Sequence, residues 1–159
     1  MNNSVLMLAK RIEDCDQVLN VYVEPDLPDI LVDQPRIKQV LVNLLTNASK
    51  FTREGGSIAV RTAMGSYGHL HITIKDSGQG MDNEEIQIVL ERFGRANSSA
   101  GHEGTGLGLP LSRELILAHD GQMKIESQPG LATTITLSLP VSGRSNTATD
   151  GDGIPNRDI

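Results

Sequence analysis

Between Asp33 and Phe51 the apolar residues Ile37, Val40, Leu41, Leu44, Leu45 and Ala48 recur at the i, i+3, i+4, i+7 spacing of a helix packed on a core. Asn43, Asn47 and Lys50 break that pattern. They stand four and then three residues apart, so they stack along a neighbouring face of the same helix. Two carboxamides and an ammonium converging on one spot suit a metal ion and phosphate; the plainer alternative is a solvated helix edge. Asp33 is placed to cap this helix, and Pro35 is tolerated in its first turn.

The remaining pattern predicts a mixed α and β order. Val5, Leu8, Ala9 and Ile12 share one face of a short helix over residues 4–14, and Leu19, Val21 and Val23 alternate as a strand that closes at Pro25 and Pro28. After the Gly55-Gly56 break, Ile58, Val60 and Thr62 alternate in one strand and Leu70, Ile72 and Ile74 in the next, with Met64–Gly68 as the hairpin turn. Residues 83–91 read as a short helix and 92–106 as a loop rich in Gly, Ser and Asn. A helix from about Leu107 to His119 follows, with Pro110 in its first turn and Gly121 as its C-terminal stop. Met123 and Ile125, then Ile135, Leu137 and Leu139, mark two final strands. Hairpins outweigh regular strand–helix alternation. The expected fold is therefore an α+β two-layer sandwich, a mixed and mostly antiparallel sheet covered on one face by about three helices.

Composition narrows the classes. A chain of 159 residues with 38% hydrophobic content fits one domain, and scarce aromatics leave the core to aliphatic side chains. A net charge of −6 without a basic patch argues against nucleic acid. No apolar run approaches the ~20 residues that span a bilayer, and no signal-peptide pattern opens the chain. Cys15 is the one cysteine, which excludes an internal disulfide or thiolate cage and fits a reducing, cytoplasmic setting. The expected division is a connecting helix at 1–17, a folded domain at 18–141 and a polar, aperiodic, disordered tail at 142–159.

Two glycine clusters flank regular elements: Asp76-Ser77-Gly78-Gln79-Gly80 after a strand, and Gly104-Thr105-Gly106-Leu107-Gly108 before a helix. Glycines allow a ligand to approach the backbone, and the free N–H groups of a helix start favour phosphate. A dinucleotide fingerprint would need glycine at Leu109 and a preceding strand, and a Walker loop would need Lys followed by Ser or Thr; neither is present.

Together these motifs resemble the catalytic, ATP-binding domain of bacterial sensor histidine kinases, members of the GHKL superfamily. Asn43–Thr52 is similar to the family's N box, Asp76–Gly80 to its first glycine box, Glu91-Arg92-Phe93-Gly94-Arg95 to its phenylalanine box, and Gly104–Gly108 to its second glycine box. The resemblance covers roughly residues 18–140 in the family's order and spacing. It implies the Bergerat ATP fold, shared with gyrase, Hsp-type chaperones and mismatch-repair ATPases.

It also implies roles. Asn47, helped by Asn43, would ligate Mg²⁺ bridging phosphate oxygens, with amide oxygens serving as hard ligands. Lys50 would place a charge on phosphate, Phe51 would pack near adenine, and Asp76 would accept the adenine amine while Gly78 and Gly80 admit the base. Residues from about 92 to 106 would form a lid, with Arg95 as its cation near the γ-phosphate. The backbone of Gly104, Thr105, Gly106, Leu107 and Gly108 would hold the phosphates. The family's Gly-x-Gly-Thr reads Gly130-Leu131-Ala132-Thr133 here, so a Cβ at 132 restricts the turn that presents Thr133 on the adenine side. The phenylalanine box has Leu90 at its first apolar position, and Gly94 loosens the lid.

In ATP-hydrolysing relatives a glutamate one turn before the metal asparagine activates water, and here that position is Asn43. An amide is no general base near neutral pH, so the γ-phosphate is expected to pass to a better nucleophile such as imidazole. None of His69, His71, His102 and His119 lies in a helical His-Glu/Asp context. The phosphoacceptor is therefore expected on a separate dimerisation domain of the same kinase, with a response regulator downstream and any membrane anchor elsewhere in the full-length protein. Two other readings are an interaction module that senses nucleotide without transferring phosphate, and a chaperone-type ATPase that turns over without a partner. The tail spacing Asp150–Asp158 is similar to a calcium loop, but Ala148 stands where a further acid would help. A solvated acidic tail is the reading taken.

Overall fold

The computed structural model describes residues 3–91 and 106–141. The expected lid, with Arg95, His102, Gly104 and Thr105, and the expected tail lie outside them. The elements run α1 (Asn3–Asp14), β1 (Val18–Val23), α2 (Gln34–Phe51), β2 (Ser57–Met64), a 3₁₀ turn (Ser66–Gly68), β3 (His69–Asp76), α3 (Asn83–Leu90), α4 (Gly108–Leu117), β4 (Gln122–Gln128) and β5 (Ala132–Pro140).

The strands form one sheet in the order β1-β2-β3-β5-β4. β1 runs parallel to β2 across the α2 crossover, and the other pairings are antiparallel. Alternation places Ile58, Ile72, Ile74, Ile135, Leu137 and Leu139 on one face, where they meet Ile37, Val40, Leu44 and Ala48 of α2 and Ile116 of α4. Leu8 and Ile12 of α1 join the same cluster.

Local chemistry sets the helix ends. The Asp33 carboxylate accepts from the Arg36 N–H at 3.1 Å, with Pro35 in the first turn, as expected. Asp82 and Glu85 form a reciprocal capping box on α3. Past α4 the left-handed residue is Asp120 (φ 55°) rather than Gly121. Gly121 is instead where the backbone packs closely, since a Cβ there would lie 2.6 Å from the Ser138 carbonyl. His119 accepts from the Asp33 N–H at Nε2 (3.1 Å) and lies 2.7 Å from the Leu115 carbonyl through Nδ1. The Nδ1–H tautomer satisfies both bonds and ties α4 to the head of α2.

Gln17 performs a similar task at the other end of α2. Its amide donates to the carbonyls of Ser49 (2.9 Å) and Thr52 (2.7 Å) and accepts from the Ser49 hydroxyl (2.9 Å). Gly55 N–H donates to Asp16 O and Val18 N–H to Gly56 O. The α1–β1 corner is thus stitched to the α2–β2 corner.

Candidate functional site

α2 carries the polar stripe, and the structure brings the two ends of that stripe to the two glycine clusters. At the upstream end Asn43, half-buried, donates through Nδ2 to the Ser112 hydroxyl of α4 at 2.8 Å. Gly108, one turn before Ser112, lies against the same carboxamide: a Cβ there would fall 3.0 Å from both Cγ and Nδ2 of Asn43 and closer still to Oδ1. Leu107 caps α4 with no side-chain hydrogen bond. The first-turn N–H groups of α4 therefore open beside the Asn43 amide, an arrangement that favours an anion.

At the downstream end the Phe51 carbonyl meets the first glycine cluster. It accepts from the Gln79 N–H at 3.4 Å, and a Cβ at Gly78 would fall 2.6 Å from it and 2.6 Å from the Asp76 carboxylate. Gly80 (φ 65°) lies against the Gln128 carbonyl, where no side chain fits. From Asn43 to Phe51 the helix advances about 12 Å, with Asn47 half-buried between the two ends. The Lys50 ammonium sits 5.2 Å from the Phe51 ring centroid. Lys50 also borders a hollow of about 580 Å³ on the α1 side, shared with Arg11, Cys15, Gln17 and Glu54.

Asp76 ends β3 and is only 8% exposed. Burial pushes its carboxyl above the ordinary value of 3.8, and the N–H groups of Gly78 and Thr133 partly offset that by stabilising the anion. Thr133 pairs with Asp76 across the β3–β5 ladder and is buried beside it. Its hydroxyl lies 2.9 Å from that of Ser127, which accepts from the Met81 N–H (2.8 Å) and reaches the Ala132 carbonyl at 3.0 Å. Ala132 therefore opens β5 paired with Gln128, and its carbonyl is held by the Ser127 hydroxyl.

Ser112, Ser127 and Gln17 are additions to the sequence reading. Ser112 had a legible signal, standing four residues after Gly108 on one helix face. Ser127 is the polar member of the inward-facing alternation Met123, Ile125, Ser127 on β4. Gln17 has no periodic signal at all. Among the described residues no group of His, Cys, Asp or Glu is suited to hold a metal ion, and no helix is long and apolar enough to cross a membrane.

A sheet covered on one face, a polar helix stripe running between two glycine turns and a buried aspartate at a strand end define a catalytic, ATP-binding domain of the sensor histidine kinase type. Residues 32–143 match the model of the histidine kinase-, DNA gyrase B- and HSP90-like ATPase family, and the chain belongs to that family. The cell-division control histidine kinase PdhS of Brucella canis is 37% identical over 133 residues, which cover 77% of this chain and 13% of that protein. The solved mycobacterial sensor histidine kinase MprB superposes with a TM-score of 0.76 at 30% identity, covering 86% of this chain and 90% of that one. Full-length ShkA in complex with AMPPNP gives 0.74 at 25% identity over 86% of this chain and 28% of its own.

Proposed function

We propose that this domain binds ATP with Mg²⁺ between α2 and the two glycine clusters and directs the γ-phosphoryl group to a histidine on a separate dimerisation and phosphoacceptor domain. One observation carries the reading. Asn43, the position where a water-activating acid stands in hydrolytic relatives, is an amide held against Gly108 and Ser112 at the open head of α4. An amide there takes no proton from water near neutral pH, and the α4 N–H groups beside it favour a phosphate.

The residues fit the ligands. Asn47 and Asn43 supply amide oxygens for Mg²⁺, and Gly106, Leu107 and Gly108 supply backbone to the phosphates. Lys50 and, from the lid, Arg95 add positive charge, with Gly104 and Thr105 completing the second glycine cluster. At the other end Asp76 accepts the adenine amine, Phe51 and Thr133 border the base, and Gly78 and Gly80, closed against the Phe51 and Gln128 carbonyls, shape the turn beside it. When bound, the metal neutralises phosphate charge. The chain itself orients the triphosphate, and Asn43 offers no general base to water beside it. The unprotonated imidazole nitrogen of the partner attacks, the N–P bond forms as the bond to the β,γ-bridging oxygen breaks, and ADP leaves. A response regulator is the expected later acceptor.

The AMPPNP complex of ShkA supports the nucleotide class. Incubation with ATP, Mg²⁺ and the cognate phosphoacceptor domain tests the whole reading, with acid-labile phosphohistidine on that domain as the expected product. Measurable ATP binding without phosphohistidine would favour a nucleotide-sensing module, and steady phosphate release without a partner would favour an ATPase.

A further inference from the structure

Asn43 has two chemically different ends, and only its oxygen is a ligand for a cation. Which end faces the phosphates is therefore a functional variable that the sequence leaves open. In the structure the nitrogen end is taken by Ser112, whose hydroxyl accepts from Nδ2 at 2.8 Å. Ser112 is 2% exposed and four residues along α4 from Gly108, so the two residues form one wall against the carboxamide. A serine inside a helix ordinarily directs its own proton to a carbonyl one turn back, which leaves its oxygen as an acceptor for the amide. The positive end of α4, where Leu107 provides no side-chain cap, favours the amide oxygen at Gly108 over the NH₂ group.

We propose that Ser112 is a positioning residue for the metal site: it holds the Asn43 nitrogen so that the carboxamide oxygen faces the head of α4, where phosphate and Mg²⁺ meet. This rests on the reading of Asn43 as a metal ligand. Ser112 touches neither nucleotide nor ion, so its effect is confined to the part of affinity that the metal supplies.

The test measures that part directly. An ATP analogue is titrated into the parent domain, Ser112→Ala, Ser112→Thr and Asn43→Ala, once with Mg²⁺ and once with EDTA, and the ratio of the two Kd values gives the metal-dependent gain. Ser112→Ala is expected to reduce that gain about three- to tenfold, the size of one lost hydrogen bond, and to leave the EDTA affinity within about twofold. Ser112→Thr, which keeps the acceptor, is expected to retain the gain. If Ser112→Ala does not fold, Ser112→Cys fills the space with a poor acceptor and is expected to show the same reduction. An undiminished gain in Ser112→Ala, alongside a gain abolished in Asn43→Ala, overturns the positioning role and leaves the metal reading intact. An undiminished gain in Asn43→Ala removes both. Equal losses with and without Mg²⁺ in Ser112→Ala also overturn the proposal, since they mark a general disturbance of the pocket.

Discussion

Gly108→Ala separates the site from the fold more cleanly than any other single substitution. Position 108 opens α4, and its φ is not in the left-handed range, so alanine is compatible with the backbone and gains up to about 1 kcal/mol in helix propensity. The added Cβ meets the Asn43 carboxamide, with Cγ and Nδ2 at 3.0 Å and Oδ1 nearer. Ordinary contact at Oδ1 requires the side chain to withdraw by about 1 Å and to give up its bond to Ser112, which costs about 1 kcal/mol. The two effects offset each other, and unfolding stability is expected to stay within ~1 kcal/mol of the parent. Nucleotide binding has no such compensation. Displacing an amide that contacts a charged ligand costs about 1.5–3 kcal/mol, or roughly ten- to hundredfold in Kd. Urea denaturation and calorimetric titration with Mg²⁺ and an ATP analogue, run on the same preparation, read the two quantities. Unchanged affinity would refute the placement of Asn43 and Gly108 at the phosphates. A stability loss of several kcal/mol would show that the contact supports the fold instead.

Asp76 gives a pH prediction. Its raised carboxyl pKa means that protonation favours the free folded domain, and this contribution is lost as pH rises through the folded value; Asp76→Asn is therefore expected to stabilise the free domain at neutral pH in thermal unfolding. A base amine favours the ionised form, so affinity is expected to fall as pH drops through that value, and the dependence should vanish in Asp76→Asn along with most of the binding. Thr52→Val removes a buried hydroxyl without a hydrogen-bond partner among the described residues and is expected to raise stability by about 1 kcal/mol in urea denaturation. Gln17→Ala leaves the Ser49 and Thr52 carbonyls and the Ser49 hydroxyl short of a partner, and is expected to cost about 2–4 kcal/mol by the same measurement.

What the sequence made legible was whatever obeys a local period. The α2 stripe, the Asp33 cap and the alternation of β3 and β5 follow from spacing alone, because each is decided within a turn or a pleat. The sheet order is not local, and nothing in the strand patterns sets β3 beside β5 or β1 parallel to β2. The alternation of Leu19, Val21 and Val23 marks a strand, yet only Leu19 packs against the core, and Val21 and Val23 remain 63% and 60% exposed. Spacing puts Ser112 on the Gly108 face of α4 and Ser127 on the inward face of β4, but their bonds to Asn43 and Thr133 are tertiary contacts that only the folded chain shows.

The stitched corner at Gln17 bears on where this domain begins. The family model matches from residue 32, but the mechanical unit reaches further upstream. A polypeptide cut at 32 would lose Leu8 and Ile12, worth roughly 1.5–3 kcal/mol each when fully buried, together with the bonds that close the end of α2. It would also bare the β2 edge that β1 covers. Any segment joined ahead of α1 therefore meets the last turn of α2, where Lys50 and Phe51 stand, through three hydrogen bonds of one glutamine.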